Sequence, residues 1–175
     1  MANTFIFISS VTVGSGGSSG ITFSSIPSTY TDLLVKVSAR STRNTGAWTE
    51  IWFRINNNTS SVYTTRSIYE GGNSVNNNVL SSATYSQIAE ANQANNTTGS
   101  VFSSTEIYLP SYRSSTSKPF SVEGTTEENT TDARNYLTAG ITTDTNPITQ
   151  LDIYPQTGFN WVQYTTAYLY GIKNS

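Results

Sequence analysis

Two residue types are missing from the sequence, which contains no cysteine and no histidine. Without histidine there can be no Ser-His-Asp triad and no imidazole ligand for a metal ion. Without cysteine there can be no disulfide, no thiolate nucleophile and no thiolate-bound zinc or iron–sulfur cluster. The sequence therefore predicts no catalytic residue, no metal site and no cofactor. Because the chain has no disulfides, we expect its stability to depend on the core or on oligomerisation.

Charge is also scarce. Charged residues make up 11% of the chain, against about 25% in an average soluble domain. The nine Lys and Arg residues and the net charge of −2 give no basic surface for nucleic acid, and we expect Arg40 and Arg43 to be solvated at a strand end or in a loop. No apolar run approaches the roughly 18 residues that span a bilayer, and the first residues lack the positive region of a secretory signal. We therefore expect neither a membrane nor a nucleic-acid partner.

Small polar residues and aromatics are abundant instead. The chain has 26 Ser, 28 Thr and 17 Asn, about two in five of its 175 residues, and 12% of the residues are aromatic. Disordered chains are poor in aromatics and rich in charge, so this composition indicates a folded protein. The length suits one domain covering residues 1–175.

Alternation of apolar and polar residues, with a period of two, dominates the sequence. In residues 33–40, we expect Leu33, Val35, Val37 and Ala39 to face the core and Lys36, Ser38 and Arg40 to face solvent. Further strand candidates lie at 3–13, 21–26, 48–55, 62–69, 101–109, 120–124, 135–143, 148–154 and 161–172. About ten strands with regularly spaced turns predict an all-β fold, a single-domain antiparallel β-sandwich of jelly-roll type. The first and last strands are expected to be the longest and to lie close together.

The stretch 73–99 is the least regular. Residues 83–94 could form a short helix or an irregular excursion, and a division into two subdomains near 90–99 is the less simple alternative. The residues expected to be buried are Leu33, Val35, Val37, Ile51, Phe53, Ile55, Ile107, Leu109, Leu137, Ile141, Leu151 and Ile153.

The carboxylates show no spacing that indicates chemistry. A pair for glycoside hydrolysis could come from Glu106, Glu123, Glu127, Glu128, Asp132 and Asp152, but a solvated surface explains all of them. Calcium could gather Glu127, Glu128, Asn129 and Asp132, or Asp144 and Asn146, but neither group matches an EF-hand loop, and turns are the simpler interpretation. The sequence therefore favours a protein that is not an enzyme.

The aromatic residues exceed what one inward face of a sheet can hold. Outward Trp and Tyr could stack on sugar rings, line a subunit interface or simply belong to the core and surface. The candidates for anchoring or interface contacts are Phe5, Phe7, Trp48, Trp52, Tyr108, Tyr112 and Trp161. Residues 2–7 form either an arm that adds a strand to a neighbour's sheet or the first strand of the domain's own sheet.

Several segments also carry a family resemblance. The opening run Ile8-Ser9-Ser10-Val11-Thr12-Val13-Gly14-Ser15-Gly16-Gly17 is followed by residues 21–34, and the middle element is Glu106-Ile107-Tyr108-Leu109-Pro110-Ser111-Tyr112 with residues 118–122. The chain closes with residues 167–173. These segments resemble a family of small β-rich virion proteins of tailed bacteriophages, many of them from cyanobacteria and other aquatic hosts. The likeness covers both ends and the 101–142 region, and residues 45–100 match only loosely.

This resemblance implies a virion protein and leaves open whether its role is structural, decorative or tail-associated. Among these roles we expect first of all a non-enzymatic decoration or cement protein on the outer surface of the head. The alternative is a module of a tail or head fibre that binds a host glycan or receptor. The expected partners are the major capsid protein and further copies of the chain, with a trimer favoured, assembled in the host cytoplasm. A third hypothesis, a glycan-acting enzyme, would require two carboxylates about 5–10 Å apart in a cleft.

Overall fold

The computed structural model describes residues 4–45, 48–71, 74–93, 100–127 and 133–173. Across these ranges the chain forms twelve β-strands, and none of the described residues is helical. No described helix is therefore available to cross a membrane. The strands are β1 (Phe5–Thr12), β2 (Ile21–Phe23), β3 (Asp32–Ser41), β4 (Thr49–Ile55), β5 (Tyr63–Gly71), β6 (Ser74–Ala83), β7 (Ser86–Gln93), β8 (Ser103–Leu109), β9 (Lys118–Glu127), β10 (Ala133–Thr142), β11 (Leu151–Pro155) and β12 (Thr166–Ile172).

Hydrogen bonds join the strands into one continuous sheet that divides into two parts. The large sheet is antiparallel, in the order β1-β12-β3-β8-β9-β10-β5-β6, and the small sheet has the order β2-β11-β4-β7. A short parallel pairing between β3 and β7, at Arg40↔Asn92 and Ser41↔Gln93, connects them at a corner. The pairing of β1 with β12 confirms that the first and last strands are neighbours and places Phe5 and Phe7 in the domain's own sheet.

The two sheets pack face to face. The ring of Phe53 on β4 meets the ring of Phe120 on β9 edge-on, with 5.5 Å between centroids. Thr138 on β10 donates a hydrogen bond of 2.8 Å to the carbonyl oxygen of Ile88 on β7. At Gly124 on β9 the backbone approaches β7 so closely that a Cβ atom would lie 2.9 Å from the Cβ of Ala89. The architecture is the predicted all-β sandwich of jelly-roll type.

The core between the sheets contains ten of the twelve residues expected there. All ten are nearly or fully inaccessible to solvent: Leu33, Val35, Val37, Ile51, Phe53, Ile55, Ile107, Leu109, Leu151 and Ile153. On β3, β4 and β8 the alternation therefore predicts both the strand and the face that it buries.

The prediction was wrong for Leu137 and Ile141, which are exposed on the outer face of β10. Strand β10 instead turns Tyr136, Thr138 and Thr142 inward. The polar atoms of these residues form hydrogen bonds within the protein. The Thr138 hydroxyl, for example, also lies 2.7 Å from the Ser67 hydroxyl. Because the period is two, this phase places the aliphatic residues of β10 in solvent.

The alternatives of a helix or an irregular excursion at residues 83–94 were wrong for the described part, since residues 83–93 form the end of β6, a turn and β7, and residue 94 lies outside the described ranges. Ser82 near this turn has a positive φ of 50°. Ile88, Ala89 and Ala91 are buried in the core, and β7 pairs with β4. Tertiary pairing has overridden the weak helix propensity of this Ala-containing segment.

Arg40 is buried rather than solvated. It lies where β3 leaves the large sheet for the corner, and its Nη1 donates a 3.3 Å hydrogen bond to the carbonyl oxygen of Val101. Burial lowers the pKa of its guanidinium. Arg43, also expected in solvent, is half-buried and donates to the Trp48 carbonyl oxygen and to Gln156 Oε1.

The expectation about strand length was wrong as well. The ten-residue strands are β3, β6, β9 and β10, whereas β1 has eight residues and β12 has seven. The long strands are β3 and β9 in the interior of the large sheet and β10 and β6 toward the end opposite β1.

Candidate interaction surfaces

An apolar patch lies on the outer face of the large sheet, at its β6-β5-β10 end. Ile68 is 58% exposed and Leu137 61%, and the two residues are direct cross-strand neighbours. Val75 and Val79 of β6 and Ile141 of β10 are exposed on the same face. We call these five residues the apolar patch. Clustered exposed aliphatic side chains on a monomer are typical of an interaction site.

A second apolar area lies at the other end of the same face, on β1 and its neighbours. Phe5 and Phe7 are 57% and 56% exposed, and the Phe7 ring meets Tyr170 edge-on with 6.0 Å between centroids. Phe5, Leu34 and Tyr170 line a shallow depression with Lys36 and Glu106. Of the residues predicted to make interface contacts, Phe5 and Phe7 are the most accessible.

Charged residues occupy the middle of this face and separate the two apolar areas. Lys36 Nζ lies 2.8 Å from Glu106 Oε2, and Glu106 faces Glu123 across the β8–β9 pair. Tyr108, another predicted interface residue, is about one-third exposed beside this group, and its hydroxyl donates to Asp32 Oδ2. The face therefore has an apolar area at each end and charges in the centre, with Arg66 and Glu70 of β5 as further charges beside the apolar patch.

The outer face of the small sheet carries an aromatic groove, which we define by Trp52, Tyr154 and Phe159 with Arg54. Trp52 stacks on Tyr85 with 4.0 Å between centroids, and its Nε1 donates to Glu50 Oε2. The guanidinium of Arg54 lies over the Tyr154 ring at 5.1 Å. Partial burial raises the pKa of the Tyr154 hydroxyl above its ordinary value.

Arg54 supplies a cation to this groove. Its Nε donates 2.8 Å to the carbonyl oxygen of Thr84, and no carboxylate among the described residues forms a salt bridge with its guanidinium. Rings and a cation at one depression are the groups that bind sugar rings and their anionic substituents.

A half-buried polar cluster lies where β10 and β5 pass the edge of β7. Arg134 forms a salt bridge of 3.1 Å with Glu90, and its guanidinium lies 3.2 Å from the centre of the Trp48 ring. Burial raises the pKa of Glu90, and the neighbouring charge of Arg134 opposes this shift only in part. Trp48, a predicted interface residue, thus lies half-buried beneath Arg134. The sequence pattern did not predict this cluster, because its members come from strands distant in sequence.

The carboxylates singled out from the sequence do not gather in one site, although Glu106 and Glu123 are cross-strand neighbours. Glu106 and Glu123 are exposed on the flat face of the large sheet, whereas Asp152 is buried on the small sheet and accepts from Thr22 and Gln150. Asp144 accepts from Asn58 and Asn146 in a turn. No group of three or more potential metal ligands is found in the described ranges. Glu128, Asn129 and Asp132 lie outside those ranges.

Tyr112 and Trp161 are core residues rather than contact residues. Both are fully buried, so neither offers a surface to a partner. The Tyr112 hydroxyl donates to the carbonyl oxygen of Pro27, and Trp161 Nε1 donates 3.2 Å to that of Ile153. Each ring fills space inside the sandwich while its polar atom reaches a backbone acceptor, as buried Tyr and Trp require.

Comparison with known protein families, curated proteins and solved structures finds no match to this chain. Its function is therefore inferred from the surfaces described above and from the sequence resemblance.

Proposed function

We propose that this protein is a non-enzymatic structural component of a bacteriophage virion, a decoration or cement protein that binds the outer surface of the head. The observation that carries the proposal is the apolar patch on the large sheet. Five aliphatic side chains in solvent weaken solubility without adding to the core, so a covered state explains them better than a bare one.

The geometry of the patch suits a repetitive partner such as the major capsid protein. Ile68 and Leu137 stand side by side on a regular sheet and line a broad, open depression of about 630 Å³ together with Val79. Burying one such side chain stabilises a contact by about 1.5–3 kcal/mol. A single contact of this kind is weak, but many copies on a lattice add avidity.

Low charge supports the same role. Surface ion pairs weaken as the ionic strength rises, because salt screens their charges. Apolar contacts contain no charges, so salt does not weaken them in this way. The apolar patch contains five aliphatic side chains and is bordered by the charged Arg66, Glu70 and Glu123, so we expect binding through its aliphatic surface to persist in salt.

The test uses virions whose genome encodes the chain. We expect an antibody against the chain to label heads at many symmetric positions, and heads that lack the protein to survive heat or osmotic shock less well. Labelling confined to the tail would contradict the head assignment, and equal survival would remove the cement role.

A pair of matched variants links the location to the patch. Replacing Ile68 and Leu137 by Asn should reduce the occupancy of heads by about tenfold or more, since 1.4 kcal/mol is a factor of ten. The control replaces Ser104 and Thr125, exposed polar residues of the same sheet, by Asn. Equal occupancy for the two variants would show that the patch is not the contact.

A second candidate function is binding of a host glycan or receptor by a fibre-associated module. The aromatic groove supports it, because it combines three rings with the cation of Arg54. We expect Trp52→Ala to abolish binding to host cells or to their purified surface polysaccharide, with Tyr168→Ala, an exposed ring on the large sheet, as the control. Binding that survives Trp52→Ala would exclude the groove.

A further inference from the structure

We propose that the free edge of β6 pairs with the β6 of a second copy, antiparallel and about a two-fold axis through Asn77, so that two large sheets become one. This contact does not depend on the virion assignment. It joins the backbone edges of two large sheets, and although Val75 and Val79 also belong to the apolar patch, the proposed head contact is tested at Ile68 and Leu137, which lie on β5 and β10.

Strand β6 has the properties of an edge that accepts another strand. It is the last strand of the large sheet, ten residues long, without proline or charge. Val75, Asn76 and Asn77 are all exposed, so both faces of the strand are open at this point. Natural sheets usually protect such edges with charges, prolines or bulges.

The opposite edge of the large sheet is protected in this way. Strand β1 contains a register shift between Phe7 and Ser9, which interrupts regular pairing. In β6 the pairing with β5 is regular from Ser74 to Leu80, and its irregularity lies beyond Leu80. Of the two edges, β6 alone therefore offers seven consecutive regular residues.

The side chains select one register. An antiparallel pairing centred on residue 77 places Val75 opposite Val79 of the second copy, twice by symmetry. It also pairs the run Asn76-Asn77-Asn78 with itself, so that amide side chains can bond across the strands. Registers centred on 75, 76, 78 or 79 leave at least one valine without a valine partner.

The charges on β5 agree with this register. Arg66 is the cross-strand neighbour of Val79, and Glu70 that of Val75. The two-fold axis brings Arg66 and Glu70 of the second copy into one row, on opposite sides of a valine pair. Three strand spacings, about 14 Å, separate these two charges, so their attraction is weak, and the register places no like charges in the same row.

The size of the contact sets its strength. Seven paired residues span about 23 Å at the usual strand rise, which places the interface at the weak end of the range for specific contacts. The product is a dimer rather than the trimer favoured from the sequence. Ile68 and Leu137 stay on the outer face, so the dimer presents two apolar patches side by side; this last consequence rests on the proposed function.

The absence of cysteine allows a direct test by cross-linking. Asn77→Cys faces itself across the proposed axis, with Cβ atoms about 4.5–5.5 Å apart. We expect mild oxidation or a short bismaleimide to link this variant at least about tenfold faster than a collision control, because the paired state raises the effective concentration. The control is Ser121→Cys, exposed on the outer face of the interior strand β9. Equal rates for the two variants would overturn the proposal.

Two further variants test the register. Val75→Cys and Val79→Cys should link to each other when mixed and should link poorly when alone, because each valine faces the other position of the second copy. Linking of either variant alone at the rate of the mixture would contradict the two-fold register.

A charged variant tests the dimer itself. Asn77→Lys places like charges opposite each other, so it should keep the fold by circular dichroism and abolish the dimer in sedimentation at high concentration. Head labelling is measured separately, so failure of the dimer leaves the virion assignment standing, and the reverse also holds.

Discussion

Strands β8 and β10 lie in the same sheet, separated only by β9, and both carry aliphatic residues at alternate positions. On β8 these residues, Ile107 and Leu109, are buried, whereas on β10 Leu137 and Ile141 are exposed. The residues between them differ. On β8 they include the charged Glu106, which must remain in solvent, and on β10 they include Thr138, which forms its hydrogen bonds inside the sandwich.

The comparison shows that one surface carboxylate, Glu106, is enough to fix the phase of β8, whereas no charge lies between Leu137 and Ile141 on β10. A carboxylate cannot be buried without a partner, but a threonine can be buried once its hydroxyl is bonded. Because β10 has no charge between Leu137 and Ile141, it was free to turn these two side chains outward, and on β5 the outward Arg66 and Glu70 keep Ile68 on the same face. That freedom produces the apolar patch.

The largest predicted effect contrasts one leucine from each strand. Leu109→Ala should reduce the free energy of unfolding by about 2–5 kcal/mol, and Leu137→Ala should change it by no more than about 0.5 kcal/mol. Urea denaturation measures both. If Leu109→Ala fails to fold, Ile107→Val, with an expected cost of about 0.5–1.5 kcal/mol, gives the same contrast. Similar costs on the two strands would mean that Leu137 is covered within the monomer.

A second contrast concerns Gly140, whose lack of a side chain leaves room for the Phe120 ring on the inward face of β10. The ring of Phe120 lies over Gly140, so that a Cβ atom there would overlap it, whereas nothing lies within 4 Å of a Cβ atom at Gly14. We expect Gly140→Ala to cost about 1–3 kcal/mol through displacement of the ring. Gly14→Ala should stay within about 0.5 kcal/mol. A neutral Gly140→Ala would show that the inward face of β10 is loosely packed.

These contrasts also explain which features the sequence could predict. The period of two identified strands β3, β4 and β8 and their buried faces, because charges or long aliphatic runs fixed the phase. It could not give the phase of β10, the strands within residues 83–94 or the burial of Arg40, since these depend on neighbours distant in sequence. Of the predicted contact residues, Phe5 and Phe7 lie on the surface, while Tyr112 and Trp161 fill the core; an aromatic residue with one hydrogen-bonding atom suits either place.

A smaller effect tests the polar cluster beside the same end of the sheet. Burial raises the pKa of Glu90 above its value in the unfolded chain, so the folded state keeps the proton to higher pH. This contribution to stability is fully present below the unfolded pKa and is lost as the pH rises through the folded pKa. Each unit of difference between the two pKa values contributes about 1.4 kcal/mol.

The matched variant is Glu90→Gln, which does not titrate. As the pH falls from 7 to 4, wild type should gain stability relative to the variant, measured as the difference between their urea unfolding free energies. A flat difference would show that Glu90 titrates normally. A relative loss on acidification would show that the salt bridge with Arg134 outweighs burial.

The smallest predicted effect lies in the charged centre of the large sheet, where the phase of β8 is fixed. Lys36 and Glu106 are both about half exposed, and the hydrogen bond and charge of Glu106 raise the pKa of Lys36. Glu106→Gln should therefore cost at most about 1 kcal/mol. The cost should disappear in about 1 M salt, where the Debye length is only about 3 Å.

The control is Glu123→Gln, for which we expect a change in stability of the opposite sign. This variant removes a like charge that faces Glu106, so it should stabilise the protein slightly at low salt. A cost for Glu106→Gln that persists in high salt would show that this residue contributes through packing rather than charge, and the rule that charge fixes the phase would then lose its support on β8.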